Sequence, residues 1–255
     1  MTVNEVLTFI NTASPFSTAE SYDNVGLLVG DRNDEVTGIA ACLDITNAVV
    51  DEAILKNANL IVSHHPVIFH PLKKLEKTSP VYKMAEHGIS CIAMHTNFDM
   101  SEGGVNDALL ELLGFTGSEV LSAVLPNGLG FGAICDVSFG FTPKTLAEHC
   151  KGALDLESVK YCGGKDEIHR IAVCSGSGGD FLQEAKAKGC DALITGDVKH
   201  SVWIEAVNSG MCLIDAGHYG TEKAAAHRIA ALLSRVFREV PIFAADNDTE
   251  PCSYV

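Results

Sequence analysis

Two adjacent histidines, His64 and His65, close a short apolar run at 59–63, and Pro66 stiffens the turn behind them. Each neutral imidazole can give one nitrogen to a divalent cation. In a regular strand their side chains would point to opposite faces; at a strand end, or flanking two metal ions, both can be used. An isolated pair of this kind also reads as a solvent-facing loop, and the apolar run leading into this one favours ligation. His218 and Glu222 are four residues apart where a helical segment begins, which puts both on one face; alone they would read as a surface pair. His95 and Asp99 share that spacing after another apolar run. Asp99 is the better ligand, because a carboxylate lowers the net charge of a site holding two cations. His95 is expected beside the site, orienting a ligand, touching substrate or shuttling a proton.

His64, His65, Asp99, His218 and Glu222 form a mixed nitrogen and oxygen set. That chemistry suits Zn, Mn, Fe or Co better than Ca or Mg. Five ligands are too few to close two sites without sharing, so Glu222 is expected to bridge, with water completing each sphere. Open positions mark a catalytic site. A water bridging two cations about 3.5–4 Å apart becomes a hydroxide nucleophile near neutral pH. The expectation is two divalent metal ions per chain, with ligands drawn from both halves of the sequence and His95 as the catalytic side chain.

Other polar groups are weaker candidates. The run Ser175-Gly176-Ser177-Gly178-Gly179 lies between a strand and a helix. It can either present N–H groups to an anion or serve as a plain tight turn. Asp44, Asp197 and His200 also stand at strand ends, where capping or turn chemistry is the expected role. His70, His87, His149, His169 and His227 read as surface or structural.

The elements that must carry these residues alternate. Thr2 with Glu5 forms a capping box for a short first helix. Apolar runs at 38–44, 59–63 and 89–94 alternate with helical periodicity at 46–57, 81–87 and 103–113. Runs at 168–174, 191–195 and 211–214 alternate with helical stretches at 181–188, 199–208 and about 221–237. EAILKNANLIVSHHP and EAKAKGCDALITGDVKH share one helix-then-strand order, as do EHGISCIAMHTNFD and NSGMCLIDAGHYG. The chain is therefore expected to be α/β, internally duplicated, with mainly parallel sheets covered by helices. Lobe one is placed at 1–120, a connecting segment at 121–165, with a strand and a helix from Pro143, and lobe two at 166–255.

Composition narrows the partners. With 18 Lys and Arg against 33 Asp and Glu, the net charge of −15 repels nucleic acid and anionic membranes. A small anionic substrate remains compatible where metal ions supply positive charge. Nine cysteines without a CxxC, most of them inside apolar runs, point to a reducing compartment. The first residues lack a basic and apolar leader, and no apolar run reaches membrane-spanning length, so the cytoplasm is the expected location.

SYDNVGLLVG, SHHPVIFHPLKKL, MHTNFD, SGSGG, GDVKH and DAGHYGTE occur in an order that resembles the NGG-interacting-factor-like family, over about residues 20–222. Many of its members carry the name GTP cyclohydrolase 1 type 2 homologue. The resemblance implies a dinuclear centre held by His64, His65, Asp99, His218 and Glu222, two intertwined α/β lobes, and a ring-shaped homohexamer. It also implies that this chain lacks the extra domain some relatives insert. Many members have Trp where Tyr22 stands. The reaction it implies opens the imidazole ring of GTP and releases formate. Three functions follow: a metal-dependent hydrolase acting on a nucleotide or purine ring, a dinuclear phosphoesterase, and a non-catalytic metal-binding or interaction ring. SHHP is similar to part of the DHH phosphoesterase motif, but Ser63 stands where that motif has Asp.

Overall fold

In the computed structural model of this protein, the short apolar runs become strands enclosed on both faces. Every residue except 118 and 254 is described. The chain divides into two compact units, residues 1–101 with 225–249, and residues 102–224 with 250–255.

The first unit opens with α1 (Val3–Ala13), where the Thr2–Glu5 capping box is formed and Val3, Val6, Leu7 and Ile10 make the buried stripe. Strand β1 (Gly26–Val29) follows. Then come β2 (Ile39–Cys42), α2 (Asn47–Leu55), β3 (Leu60–Ser63), α3 (Pro80–Glu86), β4 (Ser90–Ala93) and the single turn α4 (Thr96–Asp99). Strands β2, β3 and β4 lie side by side and parallel, and β1 adds antiparallel to β4. Every residue of β2, β3 and β4 is buried, as expected of parallel strands covered on both faces.

The second unit contains α5 (Val105–Leu112), β5 (Glu119–Ala123), β6 (Gly130–Phe141), α6 (Pro143–Ala153), β7 (Lys160–Cys162), β8 (Ile168–Val173), α7 (Leu182–Ala187), β9 (Ala192–Thr195), α8 (His200–Ser209), β10 (Cys212–Asp215) and α9 (His218–Glu222). Its sheet runs β5-β6-β8-β9-β10-β7. Strands β8, β9 and β10 are parallel; the β5–β6 hairpin, the β6–β8 pair and the edge strand β7 are antiparallel. The parallel character expected of both sheets is thus confined here to the three central strands. Side chains alternate across them. Val173, Ile194 and Ile214 pack with Leu109, Leu146 and Cys150 of α5 and α6, while Ala172, Leu193 and Leu213 pack with Leu182, Ala185 and Val202 of α7 and α8. Residues 121–165, expected as a connection, lie in this unit and supply strands and a helix to its sheet and cover.

The chain then returns to the first unit through α10 (Ala224–Ser234) and β11 (Ile242–Ala244), which pairs parallel with β2. The single helix expected at about 221–237 is therefore two, α9 and α10, separated at Lys223. Past β11, the buried Glu52 of α2 accepts the N–H groups of Asp246 (3.0 Å) and Asn247 (2.8 Å), and Lys56 Nζ lies 2.6 Å from it. Burial alone would raise the Glu52 pKa; these donors bring it down to about 2. Asp248 accepts the N–H groups of Leu43 and Asp44 at 2.5 and 3.3 Å, tying the end of β2 to this last segment. Among the described residues no disulfide is formed, and no helix is long and apolar enough to cross a membrane.

Candidate metal centre

The polar residues of the first unit gather beyond the carboxyl ends of β2, β3 and β4, where open α/β sheets bind ligands. The N–H groups of His64 and His65 donate to the carbonyls of Cys42 and Leu43, which continues the β2–β3 ladder past Ser63. His64 is wholly buried, and its Nδ1 donates to the Met94 carbonyl at 2.8 Å. His65 Nδ1 donates to Asp44 Oδ1 at 2.9 Å. His95 follows β4, and its Nδ1 donates to Asp23 Oδ1 at 2.9 Å. The turn carrying it is fixed by Asn97, which accepts the His95 N–H at 3.0 Å and donates to the Ser14 carbonyl at 2.8 Å. Asp99 ends α4 with Oδ1 3.6 Å from His64 Nε2.

Each of these rings therefore spends Nδ1 on an oxygen, which leaves Nε2 as the nitrogen suited to a cation. A carboxylate or carbonyl behind Nδ1 fixes the tautomer and makes Nε2 the more basic ligand. The His64, His65 and His95 ligand atoms all lie within 4.8 Å of one another, and each pair of rings is 5.0–5.5 Å apart. Two ligands bound at about 2.1 Å to one cation stand on the order of 3–3.5 Å apart, so this spacing suits metal ligation. Sequence reasoning set His95 outside the ligand group; the structure brings it into one trio with His64 and His65.

Asp23 was not foreseen. Its carboxylate is fully enclosed and also accepts from the Thr96 N–H at 3.0 Å and hydroxyl at 2.5 Å. Burial would raise its pKa, but the hydrogen bonds from His95 and Thr96 bring it to about 2, so it stays a carboxylate behind the ring. Its signal in the sequence is the SYDN segment ahead of β1.

The second unit builds a smaller group after β10. Gly217, with φ of +77°, turns the chain so that His218 opens α9. His218 Nε2 lies 2.9 Å from Glu222 Oε2, and its Nδ1 donates to Asp197 Oδ2 at 2.7 Å. Glu222 is buried and His218 about one third exposed. Asp44 and Asp197, expected in capping or turn roles, are thus the carboxylates that hold His65 and His218. The SGSGG turn is also explained. Its N–H groups at Ser175, Gly176 and Gly178 donate to Asn106, Thr221 and Thr195, so it serves as a tight turn and not as an anion cradle. Gly176 has φ of +60°, and a Cβ there would stand 2.2 Å from Glu222 Oε1, so only glycine lets the turn approach that carboxylate.

These His, Asp and Glu groups can hold a metal ion: an N-rich trio with a carboxylate in one unit, and a His–Glu pair in the other.

The chain is similar to several known proteins along its whole length. A GTP cyclohydrolase 1 type 2 homolog of Clostridium acetobutylicum is 34% identical over 99% of this chain and 98% of its own length. Another, from Campylobacter jejuni, is 36% identical over 97% and 98%. A crystal structure of a hypothetical protein from Staphylococcus aureus superposes with a TM-score of 0.93 and 31% identity, covering 100% of this chain and 99% of the other. The family described as Duf34/NIF3 (NGG1p interacting factor 3) matches residues 1–251, and the chain belongs to that family.

Proposed function

We propose that this protein is a dinuclear metal-dependent hydrolase acting on a purine nucleotide, with GTP the first substrate to test, and that it opens the imidazole ring as the names of its relatives imply. His64, His65, Asp99, His218 and Glu222 are the proposed ligands of two divalent ions drawn from Zn, Mn, Fe or Co. The observation that carries this reading is the shared arrangement of four histidines. Each donates Nδ1 to an Asp carboxylate or a backbone carbonyl, which makes Nε2 the nitrogen suited to a cation. When bound, two such ions would lower the pKa of a shared water toward 7 and supply the nucleophile. His95, fixed from behind by ionised Asp23, is the proposed proton carrier for the leaving group. The working form is proposed to be a cytoplasmic homohexamer with a small-molecule substrate.

The test is turnover of GTP by purified protein loaded with each metal in turn, followed as formate release. The rate should rise with pH through roughly 7. Absence of turnover on GTP with every metal, alongside hydrolysis of a phosphodiester, would replace this reading with the phosphoesterase one. Light scattering checks the hexamer.

A further inference from the structure

The SYDN segment does more than supply Asp23. Tyr22 is 64% exposed and Phe69 38% exposed, although both are large aromatic side chains. They come from segments far apart in sequence, yet their ring centroids are 6.5 Å apart, tilted by 49°. The Phe69 ring also stands 6.2 Å from that of His95, close to perpendicular. Two polar ties hold the pair in place. Asp23, next to Tyr22, is bound to His95 and Thr96. Asn24 donates Nδ2 to the carbonyl of Ile68, next to Phe69, at 2.5 Å. A pair of exposed aromatic rings braced by buried or half-buried hydrogen bonds on either side is a preorganised stacking surface, not a loose loop tip.

We propose that Tyr22 and Phe69 form an aromatic wall that receives the planar heteroaromatic ring of the substrate beside His95; this rests on the hydrolase reading above and assigns to that site its ring-recognising side chains. The exposed faces of the two rings suit a flat fused ring system, as in a guanine or a related bicyclic base, with the rest of the substrate extending away from them.

The experiment is calorimetric titration of zinc-loaded protein with guanosine and, separately, with ribose 5-triphosphate, which has no ring. Zinc content is measured on every preparation. Wild type should bind guanosine, and Tyr22→Ala and Phe69→Ala should each weaken it about 5- to 150-fold, the range of one lost aromatic stack. Binding of ribose 5-triphosphate and zinc content should not change. Tyr22→Trp should keep guanosine binding, which guards against a mere folding defect. Unchanged guanosine affinity in both alanine variants overturns the wall, as does absence of guanosine binding by zinc-loaded wild type. A change of oligomeric state in both variants by light scattering also overturns it, because it would make the rings a contact between copies. Preparations that take up no zinc yet show the guanosine losses would keep the wall and sink the dinuclear reading.

Discussion

The two units contain the same device in two versions. Each has three parallel strands in sequence order, β2-β3-β4 and β8-β9-β10, with an antiparallel strand from just upstream laid against the last of them. After that last strand each carries a histidine four residues ahead of a carboxylate, His95 with Asp99 and His218 with Glu222. The difference lies at the middle strand. β3 ends on His64 and His65, whereas β9 ends on Gly196 and Asp197. In the first unit that position supplies imidazoles, and the support for His95 has to come from elsewhere, from Asp23. In the second unit the same position supplies the support itself, Asp197, for His218. Duplication has kept the scaffold and the spacing while dividing ligand and supporting roles differently between the halves.

The largest expected effect tests whether the two versions serve one purpose. His65→Ala in the first unit and Glu222→Ala in the second should both remove metal sharply, from up to two ions per chain. Elemental analysis giving wild-type content for both would end the proposed assignment. Gly176→Ala should imitate Glu222→Ala without touching a ligand, since its Cβ would fall 2.2 Å from Glu222 Oε1.

His95→Ala comes next and sharpens the contrast between His95 and His218. A proton carrier predicts retained metal with a rate lower by about 10²–10⁴. Metal loss would instead make His95 the counterpart of His218 in ligation, as its place in the histidine trio permits. Metal content and turnover measured on one preparation decide.

Third are the supporting carboxylates. Asp197→Asn should weaken metal affinity by about 10- to 100-fold, because it supports the proposed ligand His218. Asp23→Asn should leave metal content in place and lower the rate, because it acts through His95. Metal loss in Asp23→Asn would place His95 among the ligands.

The smallest effect concerns stability. Glu52 titrates near 2 in the folded protein against an ordinary value of 4.5. A depressed carboxyl pKa adds stability above the unfolded value and loses it as pH falls toward the folded one. Glu52→Gln should therefore cost about 1–3 kcal/mol at pH 7, and the difference from wild type should vanish as pH drops from 4.5 to about 2. A pH-independent difference in denaturant titrations would argue that packing, not charge, is lost.

Much of this was legible in the residues alone. Runs such as Leu60–Ser63 and Cys212–Asp215 are too short for helices and too apolar for loops, so the central strands stood out. The histidines at their ends stood out with them. Edge strands did not, because β1, β5 and β7 are short and only partly buried and carry no strong periodicity. Asp23 could not be paired with His95, because 72 residues separate them and no local pattern records a contact made by tertiary folding. Asp44 and Asp197 look like any strand-end aspartate until the ring each one holds is in view. The break at Lys223 escaped notice for a related reason: the residues on either side all favour a helix, and only the placement of α9 shows where it stops.

The return of residues 225–249 to the first unit bears on how the protein is made. On the ribosome, the β2-β3-β4 strands and Glu52 emerge early, but β11 and the residues after it that bind Glu52, Leu43 and Asp44 emerge only after residues 102–224. The second unit has nearly all of its residues by 224 and can consolidate first. The strand that ends on His64 and His65 must meanwhile wait with β2 as an uncovered sheet edge, the kind of edge that invites mispairing. The nascent chain thus spends its most aggregation-prone interval with its histidine-bearing sheet unfinished. Chaperone dependence during synthesis should persist until residues 225–249 have emerged, rather than follow the protein's overall length.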